Sequence, residues 1–95
     1  MPVYPPEITK EYLAKAQRRE AQGLTTYGDF DPVADQRILT VEAQDEAVDI
    51  FNYMEFLIRK FPKHKDKARR IQVKACTLYH LLKQMESTER KERTP

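Results

Sequence analysis

Four acidic residues recur at spacings of three and four along one segment of the chain. They are Glu42, Asp45, Glu46 and Asp49, and together they are called the acidic stripe. Because an α-helix advances about 100° per residue, all four carboxylates would lie on one side of a helix. Like charges at these spacings cost roughly 0.2 to 0.5 kcal/mol per pair, so the stripe opposes its own helix by about 1 to 2 kcal/mol. A bound divalent cation would remove that cost, and the pattern therefore predicts a metal site.

Apolar residues border the acidic stripe. Ile38 and Phe56 fall on the same line of the helix, one before and one after the acids. Two apolar stripes occupy the rest of the segment and predict a helix that packs on two sides: Leu39, Ala43, Ala47, Ile50, Met54, Leu57 and Phe61 form one, and Val41, Val48, Phe51 and Ile58 the other. Acids among apolar neighbours must be neutralised by a metal or by protons. We therefore expect the acidic stripe to face a polar cavity inside a helical bundle.

The composition favours one small all-α domain. The chain has 95 residues, of which 34% are charged, with two glycines and no tryptophan. Helix-forming residues dominate throughout, which argues against a sheet. The hydrophobic runs are too short to cross a bilayer and no signal peptide opens the chain, so we expect a soluble, cytoplasmic protein. The single cysteine, Cys76, is expected to be a small core residue.

Prolines and glycines divide the chain into three helical segments. Pro5-Pro6 and Gly23 delimit the first, Asp31-Pro32 is an N-cap followed by proline at the first helical position, and Pro62 stops the second. The predicted helices cover about 6–22, 32–61 and 65–85, within a single domain over 1–86. The polar tail over 87–95 has no apolar residue and is predicted to be disordered. The second helix would be the longest element and the centre of the fold.

The third predicted helix carries a heptad seam. Its members recur at alternating spacings of three and four: Ala68, Ile71, Ala75, Leu78, Leu82 and Met85. Such a seam predicts antiparallel packing against the second helix. A chain of this size buries only about 60 to 65% of its unfolded surface. We therefore expect a three-helix antiparallel unit that completes a helical bundle by forming a homodimer or a larger oligomer.

Positive charge is concentrated between the second and third helices. Residues 59–74 contain eight Lys or Arg residues against one acid, Asp66. Three interpretations of this segment are open: a solvated loop that keeps the protein soluble, a phosphate-binding rim, and a nucleic-acid patch. Phe61 is the one aromatic residue inside the segment, which argues against the nucleic-acid interpretation.

A known family shares part of this pattern. The run from Asp45 to Leu57 resembles the Glu-x-x-Asp helix of the all-α nucleotide pyrophosphohydrolases of the MazG-like class, with Glu46 and Asp49 as the acidic pair. In that family a tyrosine often follows four residues after the aspartate, and Tyr53 stands there. Tyr27-Gly28 and Arg37 are also similar to short, phage-type members. The resemblance covers roughly residues 27–61.

The resemblance implies hydrolysis of a nucleoside triphosphate to a monophosphate and pyrophosphate, with Mg²⁺ or Mn²⁺ as cofactor. In this interpretation the whole acidic stripe supplies metal ligands, with Glu46 and Asp49 foremost, and Glu42 and Glu46 are the catalytic acids. Glu42 would bind metal or position the attacking water, while Asp45 lies at the margin. Contacts to substrate would come from further residues on or beside the same helix: Arg37, Asn52, Tyr53, Lys60 and Lys63.

One family feature is missing from the sequence. Members of this class usually carry a second acidic motif, Glu-Glu-x-x-Glu, on the preceding helix, whereas the first helix here offers Glu7, Glu11 and Glu20. Two alternatives follow. Either the acidic stripe serves both halves of the site, completed by a second subunit, or the protein is a non-catalytic helical interaction or regulatory module. Binding of nucleic acid or nucleoprotein through residues 59–74 is a further alternative.

Overall fold

The computed structural model describes residues 3–27 and 31–93, and all regular secondary structure in this part of the chain is helical. The helices are α1 (Lys10–Tyr27), α2 (Leu39–Lys60) and α3 (Lys65–Arg93), with a short 3-10 helix (Pro62–His64) before α3. None of the described helices is both long and apolar enough to cross a bilayer. The predicted all-α class is confirmed. The chain divides into two compact units, Met1–Asp35 and Gln36–Pro95.

The first unit contains α1. The hydroxyl of Thr9 accepts a hydrogen bond from the backbone N–H of Tyr12 at 3.1 Å, so α1 begins at Lys10. The helix continues through Gly23 to Tyr27, whereas the sequence predicted an end at residue 22. Glycine inside a helix costs about 1 kcal/mol relative to alanine, which a helix can tolerate. Residues 28–30, including the Gly28 of the family resemblance, lie outside the described residues.

The Asp31-Pro32 signal starts a single turn and not the long second helix. The Asp31 carboxylate accepts a hydrogen bond from the backbone N–H of Val33 at 3.0 Å, and the Asp31 carbonyl accepts one from Asp35 at 3.1 Å. The chain then leaves the helical conformation, and α2 begins at Leu39. The helical segment predicted from residue 32 is therefore shorter by about two turns. The N-terminus of α2 is capped by Glu89, a residue of α3.

The second unit is an antiparallel hairpin of α2 and α3. Phe61 closes α2 by donating its backbone N–H to the carbonyl of Leu57 at 2.7 Å, and Pro62 follows at the start of the 3-10 helix. With 22 residues α2 is shorter than α3, which has 29. The C-terminal helix, and not the central one, is therefore the longest element.

The seam between α2 and α3 is small and half polar. Its buried residues are Thr40, Gln44 and Ala47 on α2 and Ala68, Gln72 and Ala75 on α3. Three alanines let the helices approach closely, and the polar side chains hydrogen-bond across the seam. The Gln72 amide, for example, donates to the carbonyl of Phe51 at 3.1 Å.

The predicted apolar heptad is only partly the seam of α3. Ala68 and Ala75 are buried and Leu82 is half-buried. Ile71, Leu78 and Met85 are instead 41%, 45% and 58% exposed. The seam observed on α3 has the same period as the predicted heptad but includes Gln72, Tyr79, Glu86 and Glu89. Gln72, Glu86 and Glu89 hydrogen-bond to α2, and Tyr79 lines a groove beside Ala47 of α2. Ile71, Leu78 and Met85 each precede a seam residue by one position and therefore lie beside the seam.

Helix α3 extends well past its predicted end at residue 85. The Glu86 carboxylate accepts a hydrogen bond from the Gln44 amide at 3.0 Å, and Glu89 binds the start of α2. These contacts hold the last turns of α3 against α2, so the segment predicted as a disordered tail over 87–95 is helical up to Arg93. Residues 94 and 95 lie outside the described part of the chain.

The hairpin exposes apolar side chains on the two faces beside its seam. Val48 of α2 and Cys76 of α3 line the same groove, so both lie on one face of the hairpin. By helical periodicity, a second set of apolar side chains lies on the opposite face. This face is named the open face and consists of Ile50, Leu57, Ile71, Leu78 and Met85. Leu57 is half-buried and the others are exposed.

Candidate functional site

The four carboxylates of the acidic stripe lie on α2, on the side opposite the seam. Gln44 and Ala47 are buried against α3, and the four acids lie one, two or five residues from Ala47, which is about 100° to 160° round the helix from it. All four acids are exposed. Within the hairpin the stripe therefore lies on an outer surface, and the polar cavity predicted around it is not formed by α2 and α3 alone.

In the described part of the chain, the acidic stripe has no cationic partner, unlike the two glutamates Glu55 and Glu86 of the same hairpin. Among the described residues, none of its four carboxylates makes a hydrogen bond or ion pair. Glu55, by contrast, pairs with Arg69 and accepts a hydrogen bond from Gln72 at 2.9 Å. The negative charge of the stripe is thus uncompensated by these helices, although the chain contains 17 Lys and Arg residues.

Glu55 and Glu86, which hydrogen-bond across the seam, have lowered pKa values. Hydrogen bonds from Gln72 and then Arg69 lower the pKa of Glu55, and hydrogen bonds from Gln44 and then Arg90 lower the pKa of Glu86. In each case the neighbours stabilise the charged carboxylate. These two acids are committed to the seam and are not candidates for catalysis.

The spacing of the acidic stripe determines how it could hold a cation. Residues 42 and 49 are about 10 Å apart along the helix axis, at 1.5 Å per residue, whereas pairs three or four apart are neighbours. Two carboxylates such as Glu46 and Asp49 can reach one ion. Mg²⁺ commonly binds one or two carboxylates and completes its octahedron with water and substrate phosphates, so this donor set fits the metal. Within the described residues, no three His, Cys, Asp or Glu side chains converge on one point.

An open recess adjoins the acidic stripe. It is lined by Asp49, Asn52, Tyr53 and Phe56 and has a volume of about 240 Å³. The recess brings one predicted metal ligand together with two predicted substrate-binding residues, Asn52 and Tyr53. Phe56 was predicted only as an apolar border of the stripe; its position three residues after Tyr53 is the signal that places it on the same wall. Tyr53 and Phe56 are 67% and 57% exposed.

The other predicted substrate-binding residues lie apart from this recess. Arg37 is exposed and precedes α2 by two residues. Lys60 ends α2, eleven residues or about 16 Å after Asp49 along the axis, and Lys63 lies in the 3-10 helix. The structure therefore groups Lys60 and Lys63 with the turn of the hairpin and not with the acids.

The apolar border of the stripe is unequal. Ile38 is half-buried at the start of α2, whereas Phe56 is exposed on the recess.

On the opposite face of the hairpin from the open face, a second, almost wholly apolar groove is lined by Ala47, Val48, Phe51, Ala75, Cys76 and Tyr79. Cys76 is exposed there, so its prediction as a core residue is wrong. Its neighbours in the groove are apolar, which is the property that the sequence correctly indicated.

Comparison with models of known families, with curated proteins and with solved structures finds no match to this chain.

Proposed function

We propose that this protein hydrolyses nucleoside triphosphates to a monophosphate and pyrophosphate, using a divalent cation bound by acids of α2. The observation that carries the proposal is the recess in which Asp49, Asn52 and Tyr53 meet. It places a carboxylate of the uncompensated stripe beside an amide and a phenol that can contact sugar or base. The resemblance of residues 45–57 to the Glu-x-x-Asp helix of the MazG-like class supports the same chemistry.

Three acids of the stripe would act in the reaction. Glu46 and Asp49 would hold Mg²⁺ or Mn²⁺, which supplies Lewis-acid neutralisation of phosphate charge and a more acidic bound water. Glu42, one turn before Glu46, would orient a water molecule and accept its proton as the water oxygen bonds to the α-phosphorus. The bond from the α-phosphorus to the bridging oxygen breaks, and pyrophosphate leaves.

The recess would supply binding of the nucleoside. The exposed ring of Phe56 offers an apolar wall for a base, and Asn52 can both donate and accept hydrogen bonds. The Tyr53 hydroxyl can contact the ribose. These residues belong to one helix and form an open wall, so a nucleotide would enter the recess directly from solvent.

Homodimerisation is the second part of the proposal. The buried apolar core of the hairpin consists of Ala47, Ala68 and Ala75, while larger apolar side chains lie on the open face. Burying these side chains against a second hairpin would convert two helices into a four-helix bundle. The same surface would suit a non-catalytic interaction module, which product analysis distinguishes.

Thermal melting in a Mn²⁺ or Mg²⁺ titration tests the metal site. A cation that binds only the folded state at ten times its Kd adds about 1.4 kcal/mol, which raises the melting temperature by about 5 to 10 °C. We expect this shift in the wild type and its loss in Glu46→Gln with Asp49→Asn. The control pair Glu11→Gln with Glu92→Gln removes the same charge elsewhere and should keep the shift. A wild type that shows no shift, or a shift that survives the first pair, contradicts the assignment.

A further inference from the structure

The turn of the hairpin carries a dense group of exposed cations. This basic tip is defined by residues 59–70, and its cations are Arg59, Lys60, Lys63, Lys65, Lys67, Arg69 and Arg70, against one acid, Asp66. All seven are exposed. Arg69 is used internally, because its guanidinium pairs with Glu55 and donates to Gln72 at 2.6 Å. The other six cations lie at the same end of the hairpin, and Asp66 is the one acid of the tip.

Two of these cations lie where a helix disfavours positive charge. Lys65 and Lys67 occupy the first turn of α3, and Arg70 follows in the second. The N-terminal end of a helix carries the positive end of the macrodipole and unpaired N–H groups, so cations there repel the helix end. Arg59 and Lys60 lie in the last turn of α2, where positive charge is favourable. An anion bound at the tip would offset the repulsion at the start of α3.

Exposed aromatic rings alternate with the cations of the tip. The Arg59 guanidinium lies 5.8 Å from the centroid of Phe56, and the Lys60 ammonium lies 5.5 Å from that of Phe61. His64 meets Phe61 edge-on, with ring centroids 6.0 Å apart. The sequence alone had placed only Phe61 in this segment, and the structure adds Phe56, which is one turn before Lys60. Rings and cations thus form one mixed surface.

We propose that the basic tip binds single-stranded nucleic acid. Single strands are bound by grooves or surfaces in which Lys and Arg contact phosphates while bases stack on aromatic side chains. Lys65, Lys67 and Arg70 contact the backbone, and Phe61 stacks on a base. An anionic membrane is disfavoured because membrane-surface helices separate an apolar face from a basic face, whereas here each ring adjoins a cation.

The test is fluorescence anisotropy with a labelled 20-nucleotide oligo(dT) and oligo(U), in EDTA, on the full chain. With about four phosphates contacted, the slope of log K against log salt is near −2.8. Affinity then falls about 50-fold between 50 and 200 mM salt. A triple variant, Lys65→Gln with Lys67→Gln and Arg70→Gln, should bind at least tenfold more weakly and reduce the slope by about 2. A separate Phe61→Leu variant should lose about fivefold or more through lost stacking.

A matched control removes the same charges from α1. Lys10→Gln with Lys15→Gln and Arg18→Gln changes two lysines and one arginine, all exposed, and should leave the slope unchanged. Circular dichroism must show that each variant is folded. Equal loss of affinity in both triple variants overturns the proposal, because the binding would then follow net charge. Binding to vesicles of anionic lipid but not to either oligonucleotide also overturns it. Because EDTA is present, the result is independent of the metal-dependent activity.

Discussion

The Glu89 carboxylate of α3 caps α2 by binding Thr40. It accepts hydrogen bonds from the backbone N–H of Thr40 at 2.8 Å, from the Thr40 hydroxyl at 2.7 Å and from the backbone N–H of Leu39 at 2.6 Å. The first turn of a helix has N–H groups without intrahelical partners and favours a negative charge. One side chain near the C-terminus of the hairpin therefore fixes where the helix with the acidic stripe begins.

Replacing Glu89 by alanine should destabilise the hairpin. The substitution leaves the Leu39 and Thr40 N–H groups without their acceptor, and loss of an N-cap typically costs about 0.5 to 2 kcal/mol. Urea unfolding followed by circular dichroism would show a lower midpoint. The control Glu92→Ala removes a neighbouring exposed acid of α3 and should leave the midpoint nearly unchanged. If both variants behave alike, the capping contact contributes nothing.

The hairpin should lose stability in acid through Glu55 and Glu86. The pKa of each is lowered below its ordinary value of 4.5 in the folded state, so folding favours the charged form. Their stabilisation is present above pH 4.5 and is lost as the pH falls through the folded-state pKa. Both side chains are only partly buried, with 29% and 23% of their surface exposed, so the effect is modest and should shrink at high salt. Glu86→Gln should melt lower than the wild type at pH 7, and the difference should disappear as the pH falls below the folded-state pKa of Glu86. A difference that is constant with pH would contradict this role.

The metal-free protein should be stabilised by weakening the acidic stripe. Glu46→Gln with Asp49→Asn removes three like-charged neighbour pairs, 42/46, 45/49 and 46/49, at roughly 0.2 to 0.5 kcal/mol each. In EDTA and low salt, the variant should therefore melt a few degrees above the wild type. Adding Mn²⁺ should reverse the order, since only the wild type gains the cation. A metal-free variant that melts below the wild type would show that these carboxylates make stabilising contacts.

The open face should mediate dimerisation. Leu78→Glu places a charge at its centre and should convert a dimer into a monomer in sedimentation or light-scattering measurements. Val73→Glu is the matched control, because Val73 is 66% exposed on another side of α3 and its substitution should leave the dimer intact. A wild-type chain that remains monomeric at millimolar concentration would refute the interface.

The class of fold and the C-terminal end of α2 were predictable from the sequence, whereas the start of α2 was not. Helix-forming composition and the stop at Pro62 indicate helices before any tertiary contact is known. The N-terminus of α2 depends on Glu89, which is 49 residues from Thr40 in the chain, so no local pattern could locate it. Asp31-Pro32 is a valid local signal that produces one turn.

The seam of α3 shows why an apolar pattern alone misplaces a helix. The heptad through Ile71 and Leu78 and the one through Gln72 and Tyr79 have the same period and differ by one position. Hydrophobicity favours the first, but hydrogen bonds from Gln72 to Phe51 and Glu55 select the second. The displaced apolar residues are those of the open face, where a partner can bury them.

The candidate site was partly predictable because its residues share one helix. The spacing of Asp49, Asn52 and Tyr53 placed them on one side of α2, and the recess contains all three. Lys60 and Lys63 lie on or near the same helical line, but the rise along the axis carries them to the basic tip. Angular position alone could not reveal that separation.

Product analysis by ³¹P nuclear magnetic resonance tests the central claim most directly. The wild type would be incubated with a panel of nucleoside triphosphates and Mg²⁺ or Mn²⁺, beside Glu46→Gln with Asp49→Asn and the control Glu11→Gln with Glu92→Gln. We predict pyrophosphate and nucleoside monophosphate from the wild type and the control, with at least a hundredfold slower release from the acidic-stripe variant. Absence of pyrophosphate from every triphosphate, or equal release by all three proteins, would contradict a hydrolase centred on Glu46 and Asp49.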